Sequence, residues 1–200
     1  SSLNFDLHIQ QNSYISIDEN QNSYFLNFLK PKNHLILVGA GNDAITMSNL
    51  AQALGWKVTI VDGRHTHATR QRFGESCQIY LGSAEEVVAC IQDPSYTAIA
   101  LMSHNFQYDL KAMAQLINIK SLSYIGLLGP KKKFEKMLEY LKAMGIDVSN
   151  IDHIFAPMGL DIGAETPAEI ALSTLSEMTT VLNRKSGTSL KFKKSRIHEK

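Results

Sequence analysis

Residues 35–44 read LILVGAGNDA, and this stretch decides the fold of the chain. The apolar run Leu35–Val38 is typical of a parallel strand that is buried on both faces of its sheet. Glycines follow at Gly39 and Gly41, and small Ala44 stands where a helix is expected to begin. A Gly-x-Gly-x-x-Ala pattern between a strand and a helix predicts a tight turn whose backbone can approach a phosphate group.

Strand and helix signals alternate from this turn to the end of the chain. A helical face with Met47, Leu50, Ala51 and Leu54 ends at Gly55, which favours a helix stop. Residues 63–76 are predicted to be a polar loop. Further strands are predicted at 57–61, 78–81, 97–102, 122–127 and 153–156, and further helices at 84–91, 106–117, 131–144 and 166–182. This alternation predicts an α/β fold, a Rossmann-like doubly wound parallel sheet, whose ligands bind beyond the carboxyl ends of the strands.

Three regions are expected along the chain: an N-terminal leader or hairpin over 1–33, the Rossmann-like domain over 34–183, and a basic tail over 184–200. Strand-like runs at Tyr14–Ile17 and Tyr24–Phe28 flank the polar sequence DENQN, which favours a short hairpin. The tail has a net charge of +6, although the whole chain has a net charge of only +1. Such a tail either docks onto an acidic partner or is a solvated terminus.

Length and composition narrow the class of protein. The 200 residues, 44% of them hydrophobic, are enough for one domain with a sizeable core. No apolar run approaches the roughly 20 residues of a membrane helix and no signal-peptide pattern is visible, so a cytoplasmic protein without membrane contact is expected. The small net charge argues against nucleic acid as a partner. Two cysteines outside any metal-ligand spacing indicate free thiols in a reducing compartment.

The glycine-rich turn supplies the first candidate site residues, namely Gly39, Ala40, Gly41, Asn42 and Asp43. Asp62 closes the second strand of the predicted domain, 23 residues after Gly39, where a carboxylate would accept hydrogen bonds from a ribose. Arg64 is placed to bind a 2′-phosphate, so NAD and NADP both stay open. The other interpretation is a tight turn that holds no ligand.

The loops that follow two later strands should reach the same edge of the sheet as the glycine-rich turn. This edge is called the rim. His104, in Ser103-His104-Asn105, is the candidate catalytic residue, as a proton shuttle or a ligand-orienting donor, although a purely structural role is also open. Gly126 and Gly129 bracket the end of the next strand and are also candidate cofactor-binding residues. The run 131–133 puts three lysines in the first turn of a helix, against its dipole. Either a bound phosphate near Lys131 compensates them, or they form a solvated face.

Residues 157–165 are unusually apolar for a surface loop and include Gly159, Asp161 and Glu165, which are added to the candidate site. Thr166 and Glu169 are predicted to form a capping box at the start of the last helix. His65 and His67 form a His-x-His pair without a third ligand in view, so no metal site is predicted.

Taken together, the landmarks VGAGNDAITMSNLAQALGWKVTIVDGR, LMSHN, YIGLLGPKKK and APMGLDIGAETPAEIALS, with the terminal GTSL and RIH, resemble the XdhC/CoxI family of molybdoenzyme maturation factors. The resemblance covers about residues 31–198 and concerns the family's C-terminal Rossmann domain. It implies a chaperone that holds molybdenum cofactor (molybdopterin) and passes it to a xanthine dehydrogenase or carbon monoxide dehydrogenase type enzyme. The positions that it implicates are Gly39, Gly41, Asp62, Arg64, His104, Gly129 and 159–165.

The same resemblance implies a cofactor-binding accessory protein rather than an enzyme. Its expected partners are an apo molybdenum hydroxylase and a cysteine desulfurase as sulfurating partner, and a homo-oligomer is expected. Two features depart from the family pattern: the first 33 residues are too short for the N-terminal domain of many members, and Asn42 stands where many have histidine. The alternatives are an NAD(P)-dependent oxidoreductase with His104 as acid/base, and a ligand-free interaction module using the tail and the 159–163 loop.

Overall fold

The computed structural model describes residues 14–17, 21–27, 29–194 and 196, which fall into two compact units, Ser1–Lys32 and Asn33–Lys200. In the first unit, β1 (Tyr14–Ile17) and β2 (Ser23–Leu26) pair antiparallel, with Tyr14 opposite Leu26. The predicted hairpin is therefore formed. Phe28, the last residue of the second predicted run, lies outside the described residues.

The second unit is built on a six-stranded sheet in which every strand pair is parallel. The sheet order is β5-β4-β3-β6-β7-β8, so the chain reverses its winding direction between β3 and β6. This order confirms the predicted Rossmann-like doubly wound sheet, and it makes the loops after β3 and β6 neighbours at the topological switch point. The strands are β3 (His34–Val38), β4 (Lys57–Asp62), β5 (Gln78–Leu81), β6 (Thr97–Leu101), β7 (Tyr124–Leu127) and β8 (Ile154–Phe155).

Helices cover both faces of the sheet and create two hydrophobic cores. Leu35 and Leu37 of β3 point into one core, whereas Ile36 and Val38 point into the other. The first core holds the inward sides of α1 and α5, and the second holds those of α3 and α4. None of the helices in the described ranges is long and apolar enough to cross a membrane. The helices are α1 (Asn42–Ala53), α2 (Arg70–Phe73), α3 (Phe106–Leu116), α4 (Lys131–Ala143) and α5 (Pro167–Leu182).

Several local predictions were wrong. The helix expected at 84–91 is a 3-10 helix, Ala84–Cys90, because a seven-residue segment with two adjacent β-branched valines gains little from α-helical bonding. The loop 63–76 contains the short helix α2. The strand expected from Leu122 begins at Tyr124, since the Leu122 N–H donates to Ile119 in a turn. Leu54 is exposed at the C-cap of α1 instead of facing the core.

His34 lies at the start of β3 and is almost completely buried. One ring nitrogen, Nε2, is 2.8 Å from Thr59 Oγ1, and the other, Nδ1, has no hydrogen-bond partner in the part of the chain that the structure describes. Burial, and to a lesser extent the charge of Lys57, lowers the pKa of His34 to about 4. The folded protein therefore holds this ring neutral at physiological pH.

We expect the folded domain to lose stability as the pH falls from about 6.5 towards 4. Over this range His34 becomes protonated in the unfolded chain but stays neutral in the folded chain, so protonation favours the unfolded state. The loss reaches about 2 kcal/mol at pH 5 by linkage. Urea unfolding at pH 7.5 and pH 5 measures it, with His34→Gln as the comparison. If the variant and the wild type lose equal stability between these pH values, His34 is not the cause.

Candidate functional site

The loops after β3 and β6 touch at the switch point through Gly39. This residue has a φ of +111°, and a Cβ added to it would lie 2.4 Å from the Cα of Ser103. Only glycine fits both the backbone conformation and this close approach. The Gly39 N–H also donates to the Val61 carbonyl of β4 at 2.9 Å. The turn is thus held against both neighbouring strands, as a rigid start to α1.

One backbone N–H of this turn is hydrogen-bonded within the protein, and the next two are unpaired among the described residues. The Ala40 N–H donates to Asp62 Oδ2 at 2.7 Å and is occupied. The N–H groups of Gly41 and Asn42 have no hydrogen-bond partner among the described residues, and no side chain caps α1. Unpaired amides at a helix N-terminus are donors for an anion.

Asp62 is buried, and all of its hydrogen bonds are made within the protein. Its Oδ1 accepts from the N–H and Nε of Arg64, and its Oδ2 accepts from Arg64 Nη2 at 2.6 Å and from Ala40. Burial opposes ionisation, but these hydrogen bonds outweigh it and keep the pKa of Asp62 below its usual value. With about four acceptor positions on a carboxylate, a ribose hydroxyl would have to displace a donor already in place.

Arg72 of α2 is a site residue that the sequence did not reveal. Its Nη1 donates to the carbonyls of Ala40 and His67, both at 2.8 Å, and its Nη2 donates to Asn42 Oδ1 at 2.8 Å. Within the described ranges it pairs with no carboxylate. The guanidinium charge therefore stands unneutralised beside the glycine-rich turn. The only signal in the sequence was the pair Arg70 and Arg72 in a loop beyond the second strand of the sheet, which does not distinguish one from the other.

His104 lies over the same turn and has an unusual backbone conformation. Its φ is +58°, a left-handed conformation that residues other than glycine rarely adopt and that is frequent at functional sites. The ring lies over Gly41, where an added Cβ would be 3.5 Å from the His104 Cδ2 atom. Its Nε2 is 3.3 Å from Asp43 Oδ2, in the first turn of α1. His104 and Asp43 thus flank the open amides.

A buried ion pair holds the rim in place from below. Asp109 is fully buried in α3, and its Oδ1 accepts from Ser103 Oγ at 2.6 Å and from the Ser103 N–H at 3.2 Å. Its Oδ2 accepts from Lys133 Nζ at 2.7 Å, and Lys133 also donates to the Leu128 carbonyl at 3.0 Å. Two loops of the rim, after β6 and after β7, are thereby tied to one carboxylate.

The lysines that open α4 have separate surroundings. Lys133 forms an ion pair with the buried Asp109, whereas Lys131 is exposed. Gly129 lies near the Lys133 side chain, since a Cβ there would be 3.1 Å from its Cδ. Gly126 does not reach the rim: it is buried within β7, and a Cβ there would lie 2.8 Å from Met158 Sδ. The geometry gives Gly126 a packing role.

The predicted site residues of 159–165 belong to a loop that is fastened to α5. The Gly159 N–H donates to Glu177 Oε2 at 2.8 Å, and the Ser173 hydroxyl donates to the Leu160 carbonyl at 2.6 Å. Asp161 and Glu165 are exposed on this loop. No hydrogen bond or ion pair between described residues joins it to the turn 39–43. Thr166 and Glu169 form the predicted capping box.

Glu177 also accepts from the hydroxyl of Tyr124, at 2.6 Å. Burial, and then this carboxylate, raises the pKa of Tyr124 well above its usual value. The Tyr124 ring stacks on Phe155, with centroids 4.4 Å apart. Glu177 therefore connects β7, α5 and the loop at Gly159.

Tyr124→Phe is expected to lower the free energy of unfolding by about 1.5 kcal/mol, because a hydrogen bond to a charged acceptor is lost while the ring keeps its packing. Urea unfolding measures the change. Tyr140→Phe on the exposed side of α4 is the control and should change stability by less than about 0.5 kcal/mol. Equal losses in the two variants would contradict this role for Glu177.

The described geometry shares its arrangement with known proteins. A family model described as the XdhC Rossmann domain matches residues 35–178, most of the chain. The chain belongs to the XdhC family. This finding confirms the resemblance seen in the sequence landmarks.

Three proteins that are similar to this XdhC-family chain are all longer than it. It is 31% identical over 160 residues to a probable xanthine dehydrogenase subunit of Bacillus subtilis, covering 80% of the chain and 46% of that protein. It is 30% identical over 167 residues to "Uncharacterized protein YqeB" of Escherichia coli, covering 82% of the chain and 30% of that protein. A crystal structure described as a xanthine dehydrogenase from Bacillus halodurans superposes with a TM-score of 0.67 at 26% identity, covering 84% of this chain and 50% of that one. The chain thus spans less than half the length of both curated relatives.

The XdhC match includes the rim, the buried Asp109–Lys133 pair and Glu177, whereas residues 184–196 lie beyond the match. Across the described part of the chain, no group of three or more His, Cys, Asp or Glu residues is arranged to hold a metal ion. At its rim this XdhC domain presents donors of the kind that suit an anion, namely the open amides and the Arg72 guanidinium, beside the His104 imidazole and the Asp43 carboxylate.

Proposed function

We propose that this chain is a maturation factor that binds molybdenum cofactor and delivers it to a xanthine dehydrogenase-type molybdoenzyme. The observation that carries the proposal is the XdhC family match over residues 35–178. The name of the B. subtilis relative, which describes a probable component of xanthine dehydrogenase, supports the same client class.

The rim suits the phosphate that the pterin of this cargo carries. The amides of Gly41 and Asn42 have no competing partner among the described residues, and Arg72 is fixed beside them without a counter-ion. Amides at a helix N-terminus together with a guanidinium are a strong donor set for phosphate. In this proposal, Gly41, Asn42 and Arg72 bind the phosphate, while His104 and Asp43 orient the adjoining part of the cargo.

Asp62 argues against an NAD(P)-dependent oxidoreductase. Its acceptors are taken by Arg64 and Ala40, so the carboxylate that dinucleotide-binding domains use for the adenosine ribose is not available in this conformation. Arg64 is likewise committed to Asp62 through two of its nitrogens. We therefore place molybdopterin ahead of NAD(P) as the ligand.

Delivery requires a docking partner but no turnover by this chain. The apo molybdenum hydroxylase is the receiving partner in this proposal, and a cysteine desulfurase is the source of sulfur for the cargo. In this proposal the rim holds the phosphate end while the rest of the cofactor is left for the partner to bind, and the whole cofactor leaves the rim on transfer. A site of this kind needs affinity and release rather than a nucleophile or a metal.

The proposal is tested by anaerobic titration of the purified chain with isolated molybdenum cofactor, followed by gel filtration and fluorescence detection of the oxidised pterin. Transfer is then measured as the activity regained by an apo-hydroxylase. We expect stoichiometric retention of pterin and faster reconstitution than with free cofactor. A thermal shift with NAD or NADP under the same conditions is the comparison.

Absence of retained pterin, together with an increase in melting temperature with NAD(P), would replace the proposal with the oxidoreductase. If neither ligand is retained or raises the melting temperature, the interaction module is favoured. Retention without any transfer would confirm binding but contradict delivery.

A further inference from the structure

A cleft opens between the 158–164 loop and the start of α5. It has a volume of about 220 Å³. Its apolar lining comes from Met158, Leu160, Ile162 and Ile170. Ile162 is 52% exposed, which is unusual for an isoleucine. An engineered cavity of about 150 Å³ holds benzene, so this cleft is large enough for one aromatic side chain.

The surroundings of the cleft are acidic. Asp161 lies in its lining, and Glu165 and Glu169 follow in the adjoining turn. Residues 154–183 contain no lysine or arginine at all. The carboxylates of Asp161 and Glu165 form no ion pair with any described residue. Electrostatically, the cleft therefore favours a basic segment that carries a large apolar side chain.

The same chain carries such a segment after α5. Leu190–Phe192 forms a short 3-10 turn, in which Leu190 is 61% exposed and Phe192 is 71% exposed. Lys191, Lys193 and Lys194 alternate with or follow these side chains. The segment is thus apolar and basic, the complement of the cleft in both respects.

The turn does not cover the cleft of its own molecule, because Ile162 in the cleft and Phe192 in the turn are both more than half exposed. Gly187 lies beside Thr180, since an added Cβ would be 3.0 Å from the Thr180 Cγ2 atom. Ile170 in the cleft is ten residues away along α5, about 15 Å at 1.5 Å per residue. Both surfaces accordingly stay exposed within one molecule.

We propose that the cleft binds the Leu190–Lys194 segment of a second copy of this chain, with Phe192 in the cleft against its apolar side chains and with Lys191 and Lys194 against Asp161 and Glu165. Because each molecule carries one cleft and one segment, reciprocal exchange closes a two-fold dimer. The proposal is independent of the cargo: it makes the 158–164 loop a self-association surface rather than part of the phosphate rim.

Sedimentation velocity of the full chain, from 1 to 100 μM at low salt, tests this assignment. We expect a concentration-dependent dimer that weakens at high salt, because salt screens the charges involved. Phe192→Ser and Ile162→Asp, both at exposed positions, should each raise the dimer dissociation constant at least tenfold. Leu81→Ser, at an exposed apolar residue on β5, is the matched control and should leave it unchanged.

A charge exchange makes the test specific. Asp161→Lys with Glu165→Lys should abolish the dimer, as should Lys191→Glu with Lys194→Glu. Mixing these two variants should restore association in a 1:1 complex, since both interfaces of the mixed dimer then pair opposite charges, the basic cleft with the acidic segment and the acidic cleft with the basic segment. A monomeric wild type at 100 μM, a dimer indifferent to these changes, or failure of the mixture to associate would each overturn the proposal.

Discussion

Asp109→Ala is expected to lower the free energy of unfolding by about 3–5 kcal/mol, the cost typical of removing one partner from a buried ion pair. The substitution leaves Lys133 with its charge partly buried and without its counter-charge. It also removes the acceptor of the Ser103 hydroxyl and N–H. Urea unfolding measures the change through the emission of Trp56, the one tryptophan in the sequence.

The double variant Asp109→Leu with Lys133→Met separates the lost charge balance from lost packing. Replacement of both ions by apolar groups of similar size is often close to neutral, so this variant should recover more than half of the loss. Asp147→Ala, at an exposed acidic residue, is the control and should cost less than about 0.5 kcal/mol. A loss of under about 1 kcal/mol in Asp109→Ala would show that the pair does not brace the domain.

Arg72→Met is expected to weaken the binding of molybdenum cofactor roughly ten- to 150-fold, because hydrogen bonds to charged groups contribute about 1.5–3 kcal/mol. The methionine retains much of the stem but removes the charge beside the glycine-rich turn. The pterin-retention titration measures the affinity. Arg72→Lys should recover only part of it, since an ammonium does not reproduce the fork of donors towards Ala40 and Asn42.

Arg70→Met supplies the matched control for the same helix. Arg70 is exposed and pairs with Glu75, so its loss should change the cofactor affinity less than threefold. The melting temperature of both variants is measured without ligand, so that reduced affinity is not confused with unfolding. Equal affinity of Arg72→Met and wild type would remove Arg72 from the proposed site, without bearing on family membership.

The fold was predictable because its signals are local. A run such as Leu35–Val38, buried on both faces, and a glycine pair at Gly39 and Gly41 together specify a strand followed by a tight turn. Errors occurred where local signals were short. A helix was predicted at residues 84–91, where the chain forms the 3-10 helix Ala84–Cys90, and the boundary at Leu122 was set by a turn to Ile119.

The candidate site was predictable in part. The turn 39–43 and His104 do lie together at the switch point, where Gly39 contacts Ser103. Gly126 was grouped with them by its place near a strand end, although its neighbours are Met158 and Tyr124. Arg72 was missed because its contact with Ala40 joins residues 32 positions apart, across a loop of irregular structure.

By itself, the sequence determined the parallel sheet, its glycine-rich turn and the family of this protein, since apolar periodicity and small residues act on neighbouring positions. Only the tertiary structure decided how the charges are used. Asp62 pairs with Arg64, Lys133 with Asp109, and Arg72 is left without a carboxylate among the described residues. The physical reason is that a charged side chain binds whichever partner the packed fold brings within hydrogen-bond distance, and a one-dimensional pattern of residues does not encode that distance.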